Sequence, residues 1–247
     1  IAANVFNYTC YSKGDCGAIN TFGNNNLSST YVYNIQILDN LILNTIGNSD
    51  GASASFHTRF GFGIYLDNYS RNVTSRGNTV AYSTATGILY QNSNGLIENN
   101  TVFQNGQSGG WYYQVTLTSG SQSANFANNI LVSHHDHLRN LSLVSAGQLT
   151  AADYNRYYHT TIANYQVAVG PTNYTLPQWQ AVAAGKDGHS TAGSLAFSAS
   201  LRLYVNDTAA PISINTASGS FNDLDGASLG TGFILAPFSS RVVSLVP

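Results

Sequence analysis

Charged residues are scarce in this sequence. Asp, Glu, Lys and Arg make up 8% of its 247 residues, whereas an average soluble domain contains roughly 25%. This composition disfavours a coiled coil or a helical bundle. The nine basic residues are outnumbered by eleven acidic ones, so the sequence offers no basic surface for a phosphate backbone, and nucleic acid is not an expected partner.

Long apolar runs are also missing. No run approaches the roughly 20 residues that a membrane-spanning helix needs, so no membrane span is predicted. Ile1 does not begin a signal peptide, and we expect any leader or upstream segment to have been removed from this chain.

Only two cysteines are present, Cys10 and Cys16, separated by five residues. This spacing can close a small disulfide loop in an oxidising compartment, so we predict a Cys10–Cys16 disulfide in a secreted, extracellular protein; the alternative is two reduced thiols. Eight Asn-x-Ser/Thr sequences occur, but this composition gives roughly six by chance, so they support glycosylation only weakly.

The strongest pattern in the sequence is an Asn followed by apolar residues. It recurs at unequal intervals, the shortest of which joins Asn78 to Asn100, and its members are Asn4, Asn40, Asn78, Asn100, Asn129 and Asn155. A period of about 22 residues with variable insertions is typical of a solenoid, in which each coil buries its apolar face against its neighbours. We expect short parallel strands with Asn at the bends, and Asn side chains that bond from coil to coil in a ladder.

A second motif, a Gly before an apolar residue, follows the Asn motif at a nearly constant offset. Gly87 begins nine residues after Asn78, and Gly110 begins ten residues after Asn100. We therefore predict that Gly63, Gly87 and Gly110 begin equivalent strands and lie above one another.

Several phrases of the sequence resemble coils of right-handed parallel β-helix proteins of the pectate-lyase-like superfamily: Gly17-Ala18-Ile19, Gly63-Ile64-Tyr65-Leu66-Asp67-Asn68, Gly87-Ile88-Leu89-Tyr90 and Leu96-Ile97-Glu98-Asn99-Asn100-Thr101-Val102. The resemblance implies an all-β fold with a parallel β-helix over residues 1–190, closed by a short helix at about 177–184, and a β-rich tail over residues 191–247. It also implies action on a polysaccharide, as a lyase or a glycoside hydrolase.

Alternation along the strands predicts where a glycan would bind. Asp67, Gln91 and Gln114 are expected to form an outward polar row beside Tyr65 and Tyr112, with Arg139 nearby, and such a row suits sugar hydroxyls and ring faces. The alternative is an ordinary solvated sheet face.

Two kinds of catalysis are compatible with these residues. Elimination needs a base and a cation near Asp67, which His57 and Arg59 of a Gly-rich loop could supply. Hydrolysis needs two carboxylates, but a straight strand would place Asp15 about 20 Å from Asp67, so this pair is not expected unless a loop bends Asp15 or Asp50 back over Asp67. No metal site is predicted; calcium, which related lyases often use, has no evident cluster of acidic ligands.

The run His134-His135-Asp136-His137 is interpreted as a surface turn, with a border of the glycan row or a metal site as alternatives. The rival to an enzyme is a non-catalytic structural or adhesive solenoid. Its open first coil would self-associate or extend a missing N-terminal portion of the β-helix.

Overall fold

The computed structural model describes residues 1–12, 14–24, 30–48, 50, 59–107, 113–134, 139–160 and 166–246. Strands account for 48% of the structure and helices for 8%, which confirms the all-β class. The strands are rich in β-branched and aromatic residues and alternate with turns built from Asn, Gly and Ser, as strand propensity requires.

The described residues form twenty-one strands up to Ala192. In chain order they are β1 (Val5–Asn7), β2 (Cys16–Phe22), β3 (Val32–Tyr33), β4 (Gln36–Leu38), β5 (Leu41–Leu43), β6 (Gly61–Asp67), β7 (Ser70–Arg71), β8 (Val73–Arg76), β9 (Thr79–Ala81), β10 (Ile88–Tyr90), β11 (Asn94–Glu98), β12 (Thr101–Phe103), β13 (Val115–Leu117), β14 (Gln122–Ala127), β15 (Ile130–Ser133), β16 (Leu141–Leu143), β17 (Ala152–Asp153), β18 (Arg156–His159), β19 (Val167–Val169), β20 (Thr172–Tyr174) and β21 (Thr191–Ala192).

Three long sheets contain nearly all of these strands. Sheet 1 has the order β2-β6-β10-β13-β16-β19-β20, sheet 2 has β17-β14-β11-β8-β4, and sheet 3 has β1-β5-β9-β12-β15-β18-β21. All neighbours within them are parallel except β19 and β20. β3 and β7 form a separate parallel pair.

The chain visits the three sheets in turn: β6 lies in sheet 1, β8 in sheet 2 and β9 in sheet 3, and β10 then returns to sheet 1. Val80 of β9 pairs with Val102 of β12 after one such circuit of the three sheets. This arrangement is compatible with the predicted β-helix.

One apolar core lies between the sheets. Ile64, Leu66, Ile88 and Tyr90 of sheet 1 point into it with Ile97 of sheet 2, and all are fully buried. Burying each such side chain stabilises the fold by about 1.5–3 kcal/mol before entropy is counted. Because alternate residues of each strand face inward, the stacked strands together form one continuous core.

The predicted Asn ladder is present. Each side-chain amide donates to the amide oxygen of the next Asn: Asn40 to Asn78 at 2.9 Å, Asn78 to Asn100 at 3.0 Å, and Asn100 to Asn129 at 3.1 Å. The backbone N–H groups bond to the same oxygens. These Asn side chains are buried, so the ladder satisfies both side-chain and backbone groups at a bend where water cannot reach them.

Replacing Asn100 with Ala is expected to lower the free energy of unfolding by about 2–4 kcal/mol, because it removes the acceptor of the buried Asn78 backbone N–H and one hydrogen bond each of the Asn78 and Asn129 side chains. Urea denaturation measures this difference. The exposed Asn20 of β2 is the matched control, and Asn20→Ala should stay within about 0.5 kcal/mol of the wild type. Equal losses in both variants would contradict a structural ladder.

The C-terminal region mixes two short helices with antiparallel strands. Its elements are α1 (Leu176–Val182), α2 (Leu195–Ser200), β22 (Leu201–Asn206), β23 (Ile212–Asn215), β24 (Ser220–Asn222), β25 (Ser228–Gly230), β26 (Gly232–Leu235) and β27 (Ser239–Val246). α1 lies where the closing helix was predicted, and Thr175 caps its first turn. β21 still belongs to sheet 3, and the predicted domain boundary at residue 190 stays a prediction.

The predicted disulfide is present: Cys10 and Cys16 are joined, with their Cα atoms 6.0 Å apart. The bridge ties the start of β2 to the segment after β1.

Candidate active site

β2 and β6 bring two carboxylates together on sheet 1. A Cβ on Gly17 would lie 2.7 Å from the Cβ of Tyr65, so the lack of a side chain at Gly17 lets β2 approach β6 closely. Asp15, two residues earlier, interacts with the hydroxyl of Tyr65, and so does Asp67. The charge of Asp15 also acts on Asp67, so the expectation that these two carboxylates lie about 20 Å apart is wrong.

Tyr65 is the centre of this site, which consists of Asp15, Tyr65, Asp67 and Gln91. Tyr65 is only 4% exposed, and its ring packs 4.6 Å from the ring of Phe62. Burial raises the pKa of Tyr65 far above its usual value, and the charges of Asp15 and Asp67 raise it further. Its hydroxyl also donates to Gln91 Oε1 at 3.3 Å. One phenolic proton thus faces three acceptors, two of them carboxylates.

Asp67 is half-buried at the end of β6. Burial raises the pKa of its carboxyl above the usual value, and the nearby charge of Asp15 acts in the same direction. Hydrogen bonds from Asn68 Nδ2, at 2.7 Å, and from Tyr65 oppose the shift only in part. Asp67 is thus a carboxyl that retains a proton more readily than an ordinary Asp, beside the more exposed Asp15.

The predicted polar row is only half correct. Gln91 lies next to Asp67, because β10 and β6 pair Tyr90 with Leu66. Gln114 does not continue the row: it precedes Val115, which pairs with Ile88, and its side chain is 0% exposed. Its Oε1 accepts from both N–H donors of Asn105, each at 3.0 Å, so Gln114 is a buried structural residue.

The cause of this error is a longer connection than the Gly motif implied. Gly63 and Gly87 do lie next to each other, since a Cβ on Gly63 would be 2.6 Å from the carbonyl oxygen of Gly87. Gln114 lies beside Gly87, and the next strand begins at Val115; the predicted position of Gly110 falls outside the described residues. Thr118 therefore stands beside Gln91 in the row where Gln114 was expected.

Arg139 and Arg59 do not join the cluster. Arg139 precedes β16, three strands away from β6, or at least roughly 14 Å, and its Nε donates to Asn173 at 3.1 Å. Arg59 is exposed, and its carbonyl accepts from Thr84; the charge that acts on Asp67 comes from Asp15. His57 and Tyr112 lie outside the described residues. Tyr65, expected to be exposed, is buried.

An exposed aromatic ring beside Asp67 was missed. Phe22 pairs directly with Asp67 and is 64% exposed. Nearby, Tyr69 stacks on Tyr31 at 5.1 Å, and the guanidinium of Arg71 lies over both rings. This neighbour follows only from the strand register of the structure, which pairs Phe22 with Asp67.

Metal-binding groups are not evident in the part of the chain that the structure describes: no three His, Cys, Asp or Glu side chains come together there. His134 lies within hydrogen-bonding distance of Thr160, while His135, Asp136 and His137 fall outside the described residues. The expectation about calcium stays a prediction.

Comparisons with known proteins found no match to this chain among family models, curated proteins or solved structures. The resemblance to pectate-lyase-like proteins therefore stays a prediction. Within the described residues, no helix has the length and apolar character needed to cross a membrane.

The raised pKa of Asp67 predicts a specific pH dependence of stability. A carboxyl whose pKa is higher in the folded state binds more protons there, so its contribution is full below its ordinary pKa of 3.8 and is lost as the pH rises through the raised value. At pH 7 the Asp67→Asn variant should therefore melt at or above the wild-type temperature. The difference in melting temperature should shrink towards pH 3. A difference that grows on acidification would contradict this assignment.

Proposed function

We propose that this chain is a right-handed parallel β-helix that binds a polysaccharide along sheet 1 and hydrolyses it with Asp15 and Asp67. One observation carries the proposal: both carboxylates act on the same Tyr65 hydroxyl. Retaining glycosidases hold two carboxyl groups roughly 5–5.5 Å apart, and a pair of carboxylates on either side of one hydroxyl suits that mechanism.

The roles follow from the two environments. Asp67, whose pKa is raised by burial, is the general acid, and the exposed Asp15 is the nucleophile. A carboxylate oxygen of Asp15 bonds to the anomeric carbon while the bond from this carbon to the leaving oxygen breaks. The leaving oxygen takes the proton of Asp67.

The second step regenerates both groups. The Asp67 carboxylate takes a proton from water, the water oxygen bonds to the anomeric carbon, and Asp15 leaves as a carboxylate. Tyr65 is a positioning residue: its hydroxyl stands near both carboxylates and donates to Gln91, and Phe62 packs against its ring.

Substrate binding is assigned to the groups around this pair. Gln91 next to Asp67 offers an amide to sugar hydroxyls, and the exposed ring of Phe22 offers a flat apolar surface to a sugar face. We further propose an extracellular location, which the disulfide supports because such bonds persist in oxidising compartments.

The test combines a panel of neutral and uronic-acid polysaccharides with three readouts: reducing ends, absorbance of unsaturated products near 235 nm, and the anomeric configuration of the first product by proton NMR. We expect new reducing ends without unsaturated products, and retained configuration. Unsaturated products would show that the reaction is an elimination and would contradict the proposed hydrolysis. Inactivity on the whole panel would favour the non-catalytic solenoid.

A further inference from the structure

A cleft of about 750 Å³ lies between the last strands of sheet 3 and the C-terminal strands. Its lining combines aromatic rings with polar and charged groups, among them Tyr154, Arg156, Tyr158, His189, Phe197 and Asp225. None of these residues takes part in the site on sheet 1. A concave surface of this size with mixed chemistry is typical of a small-ligand site.

Tyr154 occupies an unusual backbone position. The residue before each ladder Asn adopts left-handed angles, and Tyr154 does so with a φ of 57°. This conformation is unfavourable for a residue with a Cβ, and the equivalent positions before it are all small or carry short polar side chains: Ala3, Asp39, Gly77, Asn99 and Asn128. Tyr154 thus places a bulky ring at a bend where the ladder otherwise has small or short side chains, and this ring is 56% exposed on the cleft wall.

The Tyr154 ring is held in a fixed plane. It stacks on the His189 ring at 4.9 Å, with 6° between the planes. Asp153 holds His189 in turn, bonding to its ring Nδ1 and its backbone N–H, each at 2.7 Å, and it also accepts from the Tyr154 backbone N–H at 2.9 Å. Although burial opposes the shift, these bonds lower the pKa of the Asp153 carboxyl. The rings form a preorganised flat surface, which lowers the entropy cost of binding.

The charges around the cleft are paired with each other. Arg156 Nη2 lies 2.7 Å from Asp225 Oδ1, and Asp153 faces His189. Among the described residues that line the cleft, no cation is left over to bind a carboxylate or a phosphate. A fixed aromatic surface beside neutralised polar groups matches the apolar face and the edge hydroxyls of an uncharged sugar.

We propose that this cleft is a second, non-catalytic carbohydrate site, which binds a neutral sugar residue with its face on Tyr154 and its hydroxyls bonded to His189 and to the Arg156–Asp225 pair. Occupation of the cleft involves no covalent step. The site on sheet 1 and this cleft lie on different sheets, so the two functions are separable by mutation.

The test measures binding of neutral hexasaccharides, namely cellohexaose, xylohexaose and mannohexaose, to the full chain carrying Asp67→Asn, so that turnover does not interfere. Hexagalacturonate serves as the charged comparison. Calorimetry is expected to show that at least one neutral hexasaccharide binds, and that Tyr154→Ala weakens this binding at least tenfold. The matched control is Tyr8→Ala, because Tyr8 has a φ of 54° and is 53% exposed but does not line the cleft.

The Tyr154→Asn variant guards against a folding defect, since Asn is tolerated in the left-handed region. It should melt at or above the wild-type temperature and still lose binding. The proposal is overturned if no neutral hexasaccharide binds, if only hexagalacturonate binds, or if binding is the same with and without the Tyr154 ring. Failure of hydrolysis at sheet 1 would leave these binding results unchanged, so the two proposals can fail independently.

Discussion

Replacing Asp67 with Asn is expected to slow glycan hydrolysis by a factor of roughly 10²–10⁴, the usual contribution of a general acid. The amide keeps the shape of the side chain but has no acidic proton to give to the leaving oxygen. Because the folded state already disfavours an ionised Asp67, the same change should not destabilise the protein at neutral pH. Initial rates of reducing-end release together with thermal melting test both parts.

The matched control is Asp39→Asn, the same chemical change at an exposed bend between sheets 2 and 3, which should leave the rate unchanged. Asp15→Asn should reduce the rate as strongly as Asp67→Asn does. Tyr65→Phe should shift the pH profile of the rate rather than abolish turnover, because Tyr65 positions the carboxylates and does not touch the sugar bond. A rate for Asp67→Asn within threefold of wild type would refute the assignment.

The second large effect concerns stability. Asp187 is fully buried at the end of the Asn ladder, and four donors converge on its carboxylate: Asn155 Nδ2 at 2.9 Å, Trp179 Nε1 at 2.7 Å, Tyr157 Oη at 3.2 Å and Ser190 Oγ at 2.5 Å. These bonds join sheet 3 to α1. Removing such a shared acceptor leaves several buried donors unpaired at once.

Asp187→Asn is expected to cost about 3–5 kcal/mol of unfolding free energy, or a fall of roughly 6–20 °C in melting temperature for a chain of this length. The substitution keeps the shape of the side chain and suits the left-handed backbone at φ 56°. It replaces one acceptor oxygen with an NH₂ group that faces the surrounding donors, so the loss of stability reports on the missing acceptor alone. Denaturation by urea measures it, with the exposed Asp207→Asn as control. A loss no greater than that of the control would contradict this role.

Much of the architecture was predictable because it depends on local chemistry repeated along the chain. The Asn ladder, the alternation of core residues and the disulfide each follow from residue type and spacing, whereas the helix near residue 177 was expected only from the resemblance to β-helix proteins. The wrong positions of Gln114 and Tyr65 have a different origin. Gln114 was misplaced because a connection whose length differs from coil to coil changes the alignment of the next strand. Tyr65 was misplaced because the outer face of a strand can still be covered, as its packing against Phe62 shows.

Likewise, only some residues of the candidate site could be predicted from the sequence. Asp67 and Gln91 follow from strand alternation and one correct register. Asp15 does not, because its contact with Tyr65 depends on the close approach of β2 to β6 at Gly17. Phe22 required the exact pairing of two strands that are distant in sequence.

By itself the sequence determined the type of structure: strands of alternating polarity, bends with Asn, and a short repeat along the chain, since these depend on backbone preferences and on hydrogen bonds between like positions. Tertiary structure alone decided which carboxylates meet and where the cleft beside Tyr154 opens. Such contacts join residues far apart along the chain, and their distances depend on the register and bending of strands that no local pattern records.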